Sequence, residues 1–406
     1  MRITDVEAFA LSSPIDPPQQ REFHGGQRTI LKRDVILTRV VMDDGTVGVA
    51  PGGASSSAMR EYFAEMTQDT FVDVINDIVA PTIVGEEVTE PGAGFELLTG
   101  LNLPDVFRTE AQSVVDIALH DIFGKAQGVP VYELLSVDQP PTPTLSLYAS
   151  GGMYMPPEQY AREAREVANE GFFGYKYRPG LGPEGDKETI RRIVNEVGDE
   201  IAVMVDAHTW WKMDDASYGR KVVEELVEYY RDRGVYWVEE PVRPADYDGY
   251  SDLHRATGAP LAGGESEESA AGLLTLADTD AVDFLQGDVR HHGGFTGCWQ
   301  AVEHCRETDV TYVPHNFGTH LGLVANGQLT AAAPNSHLLE YPLFEHDRYP
   351  GMYPFPLAEE ILQTDLDIED GTVRLPDQPG LGVTVDMNVV EEYPYREGPW
   401  TEFNYD

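Results

Sequence analysis

The run from VMVDAH (203–208) through YWVEEP (236–241) to LAGGES (261–266) ends three successive apolar, β-rich stretches in a carboxylate: Asp206, Glu239 and Glu265. The spacings of 33 and 26 residues leave room for a helix after each stretch, so the order reads strand, helix, strand. Carboxylates at the ends of neighbouring parallel strands become neighbours in a closed barrel.

The same alternation continues in both directions. TLSLYAS (144–150) and FGYKYR (173–178) precede the run, while AVDFLQ (281–286), VTYVP (310–314) and SHLLE (336–340) follow it. The spacer PEQYAREAREVANEG (157–171) carries an apolar stripe at Tyr160, Ala164, Val167 and Ala168, as an amphipathic helix should. Eight such units predict an α/β fold with a (β/α)8-type barrel over 131–345, active at the C-terminal ends of its strands.

Residues 1–130 read as an α+β unit. RITDVEAFAL (2–11) and VILTRVVM (35–42) are strand-like, Asp43-Asp44-Gly45 is a hairpin turn, and TEAQSVVDIALHDIFGKAQGVP (109–130) has helical periodicity. The segment 14–33, which begins PIDPPQQREFHGGQRT, is rich in proline, glycine and charge, which predicts a mobile surface loop of the kind that covers active sites. Residues 346–406 return to proline-rich loops with short runs such as TVRLP and GVTVD, expected to pack back on the N-terminal unit.

With 70 acids against 28 bases and a formal charge of −42, phosphate backbones and anionic membranes are poor partners. Acids spread along the whole chain resemble the cytosolic proteins of salt-loving organisms, in which concentrated salt screens self-repulsion. Cys298 and Cys305 supply neither a disulfide framework nor a zinc set and read as buried thiols. The start of the chain lacks an apolar signal core and no stretch is long enough to span a membrane, so a cytoplasmic location is expected.

Groups capable of chemistry recur at the strand ends: Lys176 and Arg178, Asp206 and His208, Glu239, Glu265, Asp288, His315 and Glu340. Three converging carboxylates repel unless a cation neutralises them, and all-oxygen ligands favour Mg2+. Asp288 and His315, on adjacent strands, suit a dyad in which the carboxylate fixes the imidazole tautomer and raises its basicity, making His315 the general base. Lys176, and Glu340 if protonated, would meet negative charge developing on a bound substrate.

The phrases VDIALHDIFGKAQGVPVYELL, WVEEP, GGES, GDVRHHGG and PHNFGTHLG resemble the enolase superfamily, in its mandelate racemase subgroup of acid-sugar dehydratases, along essentially the whole chain. The resemblance implies a capping domain over the barrel, Asp206, Glu239 and Glu265 as Mg2+ ligands with Glu239 rather than Glu240 facing the ion, and α-proton removal from a small carboxylate substrate. His208 lies two residues after Asp206, on the same side of the strand if it stays extended, and the resemblance implies that it protonates a departing hydroxyl, that capping-domain residues such as Arg21, His24 and the stretch PGGASSS (51–57) contact substrate, and that the protein is an even-numbered homo-oligomer such as an octamer. One departure matters. Two-base members carry Lys-x-Lys on the second strand, whereas here Lys176-Tyr177-Arg178 places an always-protonated guanidinium at the second position. This weakens a racemase reading and favours dehydration of a C5 or C6 aldonate to a 2-keto-3-deoxy acid. Lys176 remains available as a second base, so racemisation or epimerisation of a hydroxy acid stays open, as does a non-catalytic sugar-acid-binding relative.

Overall fold

The computed structural model describes residues 1–52, 68–136, 139–345 and 351–406. The N-terminal unit is built on two long antiparallel strands, β1 (Ile3–Phe23) and β2 (Gly26–Met42), in register from Ile3↔Met42 to Phe23↔Gly26. β3 (Val47–Gly52) pairs with β2 across the Asp43–Thr46 turn, as the Asp-Gly signal predicted.

The segment 14–33 is therefore not a loop but the outer arm of a hairpin that turns at His24-Gly25. Its prolines sit where the ladder is interrupted between Pro14 and Gln19, the place in a strand that tolerates a missing N–H. The last strand of the chain, Thr401–Tyr405, covers the edge of this arm by pairing with Gly26–Ile30 of β2.

The helix Asp105–Gln127 packs against β3 and is buried along most of its length. Gly48 lets the strand approach this helix, because a Cβ there would lie 2.1 Å from the Ala118 carbonyl oxygen. Gly128, at φ 73°, ends the helix in the left-handed conformation that glycine accepts most readily. The same helix binds the other unit: Asp116 accepts from Thr296 N and Oγ1, and Ser113 Oγ accepts from Gly293 N.

The larger unit carries the eight expected strands, β4 (Thr144–Met153), β5 (Gly174–Arg178), β6 (Ala202–Asp206), β7 (Trp237–Glu239), β8 (Leu261–Gly263), β9 (Phe284–Leu285), β10 (Thr311–Tyr312) and β11 (Leu338–Pro342). Each pairs in parallel with its predecessor from β5 to β10, and β11 pairs with β4. Among the described residues no ladder joins β10 to β11. Side chains bridge that seam instead: Asn316 N donates to Glu340 Oε2 at 2.9 Å and Asn316 Nδ2 to the Glu340 carbonyl at 3.2 Å. Tyr148, Met204, Trp237, Ala262, Val313 and Leu338 form a separate apolar cluster contributed by these strands, the layered filling of a barrel interior.

The C-terminal stretch serves both units. β12 (Asp367–Glu369) and β13 (Thr372–Arg374) form a hairpin, and β13 pairs with β4. TVRLP thus extends the barrel sheet instead of packing on the N-terminal unit, while the last strand, β14 (Thr401–Tyr405), does join the N-terminal sheet. Both cysteines are buried and free, and no described helix is long and apolar enough to cross a membrane.

Candidate active site

Strand register brings the acidic residues together. Asp206 and Glu239 are direct partners across the β6–β7 ladder, and Glu265 follows the end of β8 by two residues. Ligand oxygens of the three lie within 4.8 Å of one another. Asp206 and Glu239 are fully buried, and the Glu265 side chain is 10% exposed. Three convergent carboxylates, two of them fully buried, fit a hard divalent cation.

Each carboxylate also touches a basic group. Lys176 Nζ lies 2.8 Å from Glu239 Oε1 and 2.8 Å from Glu340 Oε1. Arg178 Nε lies 3.1 Å from Asp206 Oδ2, and His208 Nδ1 is 2.5 Å from Asp206 Oδ1. His315 Nε2 lies 3.1 Å from Glu265 Oε2. Burial alone would neutralise these acids, but the adjacent cations outweigh it at Asp206, which is held far below the usual carboxylate range, and at Glu265, held at about 2. Glu239 behaves differently. Its burial and the three neighbouring carboxylates push it up to about 8 against the pull of Lys176, while Glu239, Glu340 and Asp206 hold the Lys176 ammonium protonated against its own burial.

Glu239 is further fixed by Gln286 Nε2 at 2.7 Å and Trp237 Nε1 at 3.1 Å. Glu240 turns away to accept from Ser266 N and Oγ at 3.0 and 2.7 Å, so the first glutamate of the pair faces the cluster.

His315 Nδ1 lies 2.9 Å from Asp288 Oδ2. Asp288 accepts as well from Arg290 and from Asn326 Nδ2, and these donors keep it ionised. Burial depresses His315, yet the Glu265 charge and the Asp288 hydrogen bond prevail and raise it to about 9. Behind the dyad, His291 bonds Glu110 of the helix Asp105–Gln127 at 2.8 Å, a second tie between the two units.

Two expectations need correction. Glu340 is not a neutral hydrogen-bond donor: despite its burial, Lys176, His315 and Arg178 hold its carboxyl below the usual range, so it is an ionised acceptor. His208 does not continue an extended strand, because Ala207–Trp211 form a 3-10 turn in which Asp206 accepts from His208 N. Its ring still reaches the cluster, 3.7 Å from Glu265 Oε1, and burial lowers it to about 4.

Arg21 and His24 both lie on the hairpin arm. Arg21 Nη2 donates to the Met352 carbonyl, and Met352 Sδ lies 3.6 Å from Arg178 Nη1. His24 N donates to the Gly180 carbonyl at 2.7 Å, and its side chain is exposed. Of PGGASSS, residues 53–57 lie outside the described residues. Gln286, Arg290, Asn316 and Asn326 were not singled out in the sequence. Gln286 was within reach of strand alternation, two positions before Asp288, but an amide carries no charge pattern to mark it. A cavity of about 990 Å3 lies elsewhere: His320, Tyr341, Phe355 and Glu359 line it, and none of the three carboxylates does.

Comparison with known proteins agrees with this architecture. Residues 10–136 match the mandelate racemase/muconate lactonizing enzyme N-terminal domain, and residues 159–389 match the enolase C-terminal domain-like family. D-xylonate dehydratase of Haloferax volcanii is 26% identical over 97% of this chain and 94% of its own. D-galactarolactone cycloisomerase of Agrobacterium fabrum is 27% identical over 97% and 99%. The crystal structure of an enolase superfamily member from a Polaromonas species superposes with a TM-score of 0.81 at 26% identity, covering 98% of this chain and 99% of that one. Dehydratases and cycloisomerases both stand among the relatives, and the two matched domains between them account for most of the sequence: the chain belongs to the enolase superfamily, in the mandelate racemase/muconate lactonizing enzyme group.

Proposed function

We propose that the protein is a Mg2+-dependent sugar-acid dehydratase that takes a C5 or C6 acid, an aldonate such as xylonate, gluconate, arabinonate or galactonate, to its 2-keto-3-deoxy product. The observation that carries this reading is the pairing of one histidine–aspartate base, His315 with Asp288, opposite a Lys176-x-Arg178 pair in which both cations are committed to carboxylates.

Asp206, Glu239 and Glu265 would hold the ion, which when bound supplies Lewis acidity toward a substrate carboxylate. His315, in its neutral form, removes the α-proton, and Asp288 holds the ring in the tautomer whose Nε2 is free to accept it. Lys176 and Arg178 present fixed positive charge to the carboxylate oxygens as negative charge develops there. His208, on the other side of Glu265 from His315, delivers a proton to the departing β-hydroxyl. Arg21 and His24 border the substrate from the hairpin arm.

A racemase would need a second base facing His315. Lys176, held protonated between two carboxylates, is poorly suited to that task, and Arg178 less so. Incubating the protein with Mg2+, molar KCl and a panel of sugar acids tests the reading directly. Loss of 18 mass units with appearance of a 2-keto-3-deoxy acid is the expected result. Epimerisation without mass change, or no turnover across C5 and C6 acids, would overturn it.

A further inference from the structure

Asp186 is a buried carboxylate outside the acidic cluster. It lies in the first turn of the helix Pro183–Val197, between β5 and β6, and is fully buried. Among the described residues no cation pairs with it; burial raises its carboxyl above the usual range, and four neutral donors oppose that shift. Oδ1 accepts from Gly180 N and Leu181 N, each at 2.8 Å. Oδ2 accepts from Trp210 Nε1 at 3.1 Å and from Tyr218 Oη at 2.8 Å. A buried charge without a counter-ion is costly even when its lone pairs are filled. Its effect here is geometric, because one carboxylate joins two segments that carry site residues.

The first segment is the loop after Arg178. Gly180 and Gly182 lie at φ 134° and 85°, and a Cβ at Gly180 would sit 2.7 Å from the Tyr154 ring, so the loop has little room to shift. The second is the 3-10 turn Ala207–Trp211, which carries His208. Trp210 is fully buried within it, its ring centre 5.8 Å from those of Tyr218 and Tyr230. The Trp210 carbonyl accepts from Tyr218 N at 2.8 Å, and Thr209 Oγ1 donates to the Pro179 carbonyl at 2.6 Å, a second bridge between the same two segments. Arg178 and His208 therefore approach the two oxygens of Asp206, Oδ2 and Oδ1, from segments that share one anchor. His315 is held separately, by Asp288 and by the Gly287 carbonyl.

Resting on the dehydratase reading, we propose that Asp186 is a positioning residue for His208. Through the Trp210 indole it sets the pitch of the turn, and so the point at which the His208 ring meets the departing hydroxyl. Loss of the anchor then separates the two proton transfers, since His315 takes no support from it.

An indole N–H donates and cannot accept, whereas a tyrosine hydroxyl does either. In Asp186→Asn the amide oxygen can keep Gly180 and Leu181 while the amide N–H donates to Tyr218, but the Trp210 N–H loses its acceptor. Trp210→Phe removes the same bond from the other side. Both variants are expected to slow release of the keto acid by about tenfold or more, with α-proton exchange in D2O within about threefold of the wild type and Mg2+ affinity unchanged. The double variant is expected to be no slower than the slower single one. In protein isotope-labelled at histidine Cε1, the His208 signal, assigned with His208→Asn, should move in both variants while the His315 signal stays. Equal losses of exchange and release, additive losses in the double variant, or an unmoved His208 signal would overturn the inference. Should Asp186→Asn fail to fold, Tyr218→Phe, which removes one donor without opening a cavity, should show the same split at smaller size. A wild type that releases no keto acid would remove the dehydratase reading, and the histidine signals would still decide whether Asp186 holds the turn.

Discussion

His315 Nδ1 and Asp288 Oδ2 lie 2.9 Å apart, with Asp288 held by Arg290 and Asn326 on its remaining lone pairs. A carboxylate so saturated cannot drift, and it therefore fixes one orientation of the imidazole. His315→Asn should abolish exchange of the substrate α-proton in D2O, with a loss of about 10³-fold or more. Exchange persisting near the wild-type rate would transfer the base role to Lys176.

Asp206, Glu239 and Glu265 each touch a basic group, Arg178, Lys176 and His315 in turn, which a divalent cation would displace or supplement. Mg2+ that binds only the folded state should raise stability by about 2.7 kcal/mol at a hundredfold excess over its Kd. Thermal melts at increasing Mg2+ should climb for the wild type and stay flat for Glu265→Gln. A Glu265→Gln protein that responds as the wild type does would exclude Glu265 as a ligand.

The barrel was legible because period-two apolar runs and helix-length spacers repeat eight times, and because a carboxylate at a strand end stands out from apolar surroundings. The hairpin arm was not. Prolines and charges in 14–33 outweighed the alternation, and its strand character depends on Thr401–Tyr405, more than 370 residues away, closing its edge. Glu340 was identified as a site residue with its charge left open, since ionisation depends on Lys176 lying 2.8 Å away, a distance that no sequence reports. His208 was found by its spacing from Asp206, although the turn that places it is 3-10 and not extended.

A chain with formal charge −42 should be destabilised by its own repulsion when the Debye length is long. Raising KCl from 0.1 to 1 M shortens that length from roughly 10 to 3 Å, so the melting temperature should rise across this range. A melting temperature independent of salt would show that the surface charge is already balanced by local pairing.

Glu163 offers a pH test away from the site. It is fully buried, accepts from Tyr175 at 2.7 Å through Oε1, and leaves Oε2 without a hydrogen bond. Burial raises its carboxyl to about 7, with Tyr175 opposing. The folded state therefore holds a proton that the unfolded chain releases near pH 4.5. Its contribution to stability is present below that value and is lost as pH rises to 7, amounting to roughly 3 kcal/mol. Glu163→Gln should gain on the wild type progressively between pH 4.5 and 7 in urea melts. Parallel curves for the two proteins would show that Glu163 ionises in the fold at its ordinary value.

His208 provides the sharpest separation of steps. Its ring meets Asp206 Oδ1 and Glu265 Oε1, whereas His315 meets Glu265 Oε2, so it is placed to act on a substrate atom other than the one His315 deprotonates. Burial lowers it to about 4, which leaves it neutral at pH 7 in the free protein. A neutral imidazole becomes a proton donor only when substrate brings negative charge or a basic oxygen beside it. His208→Asn should therefore slow release of the keto acid by about 10²-fold or more while α-proton exchange in D2O changes by less than about tenfold. Equal losses in both would place His208 in binding or metal positioning rather than in departure of the hydroxyl.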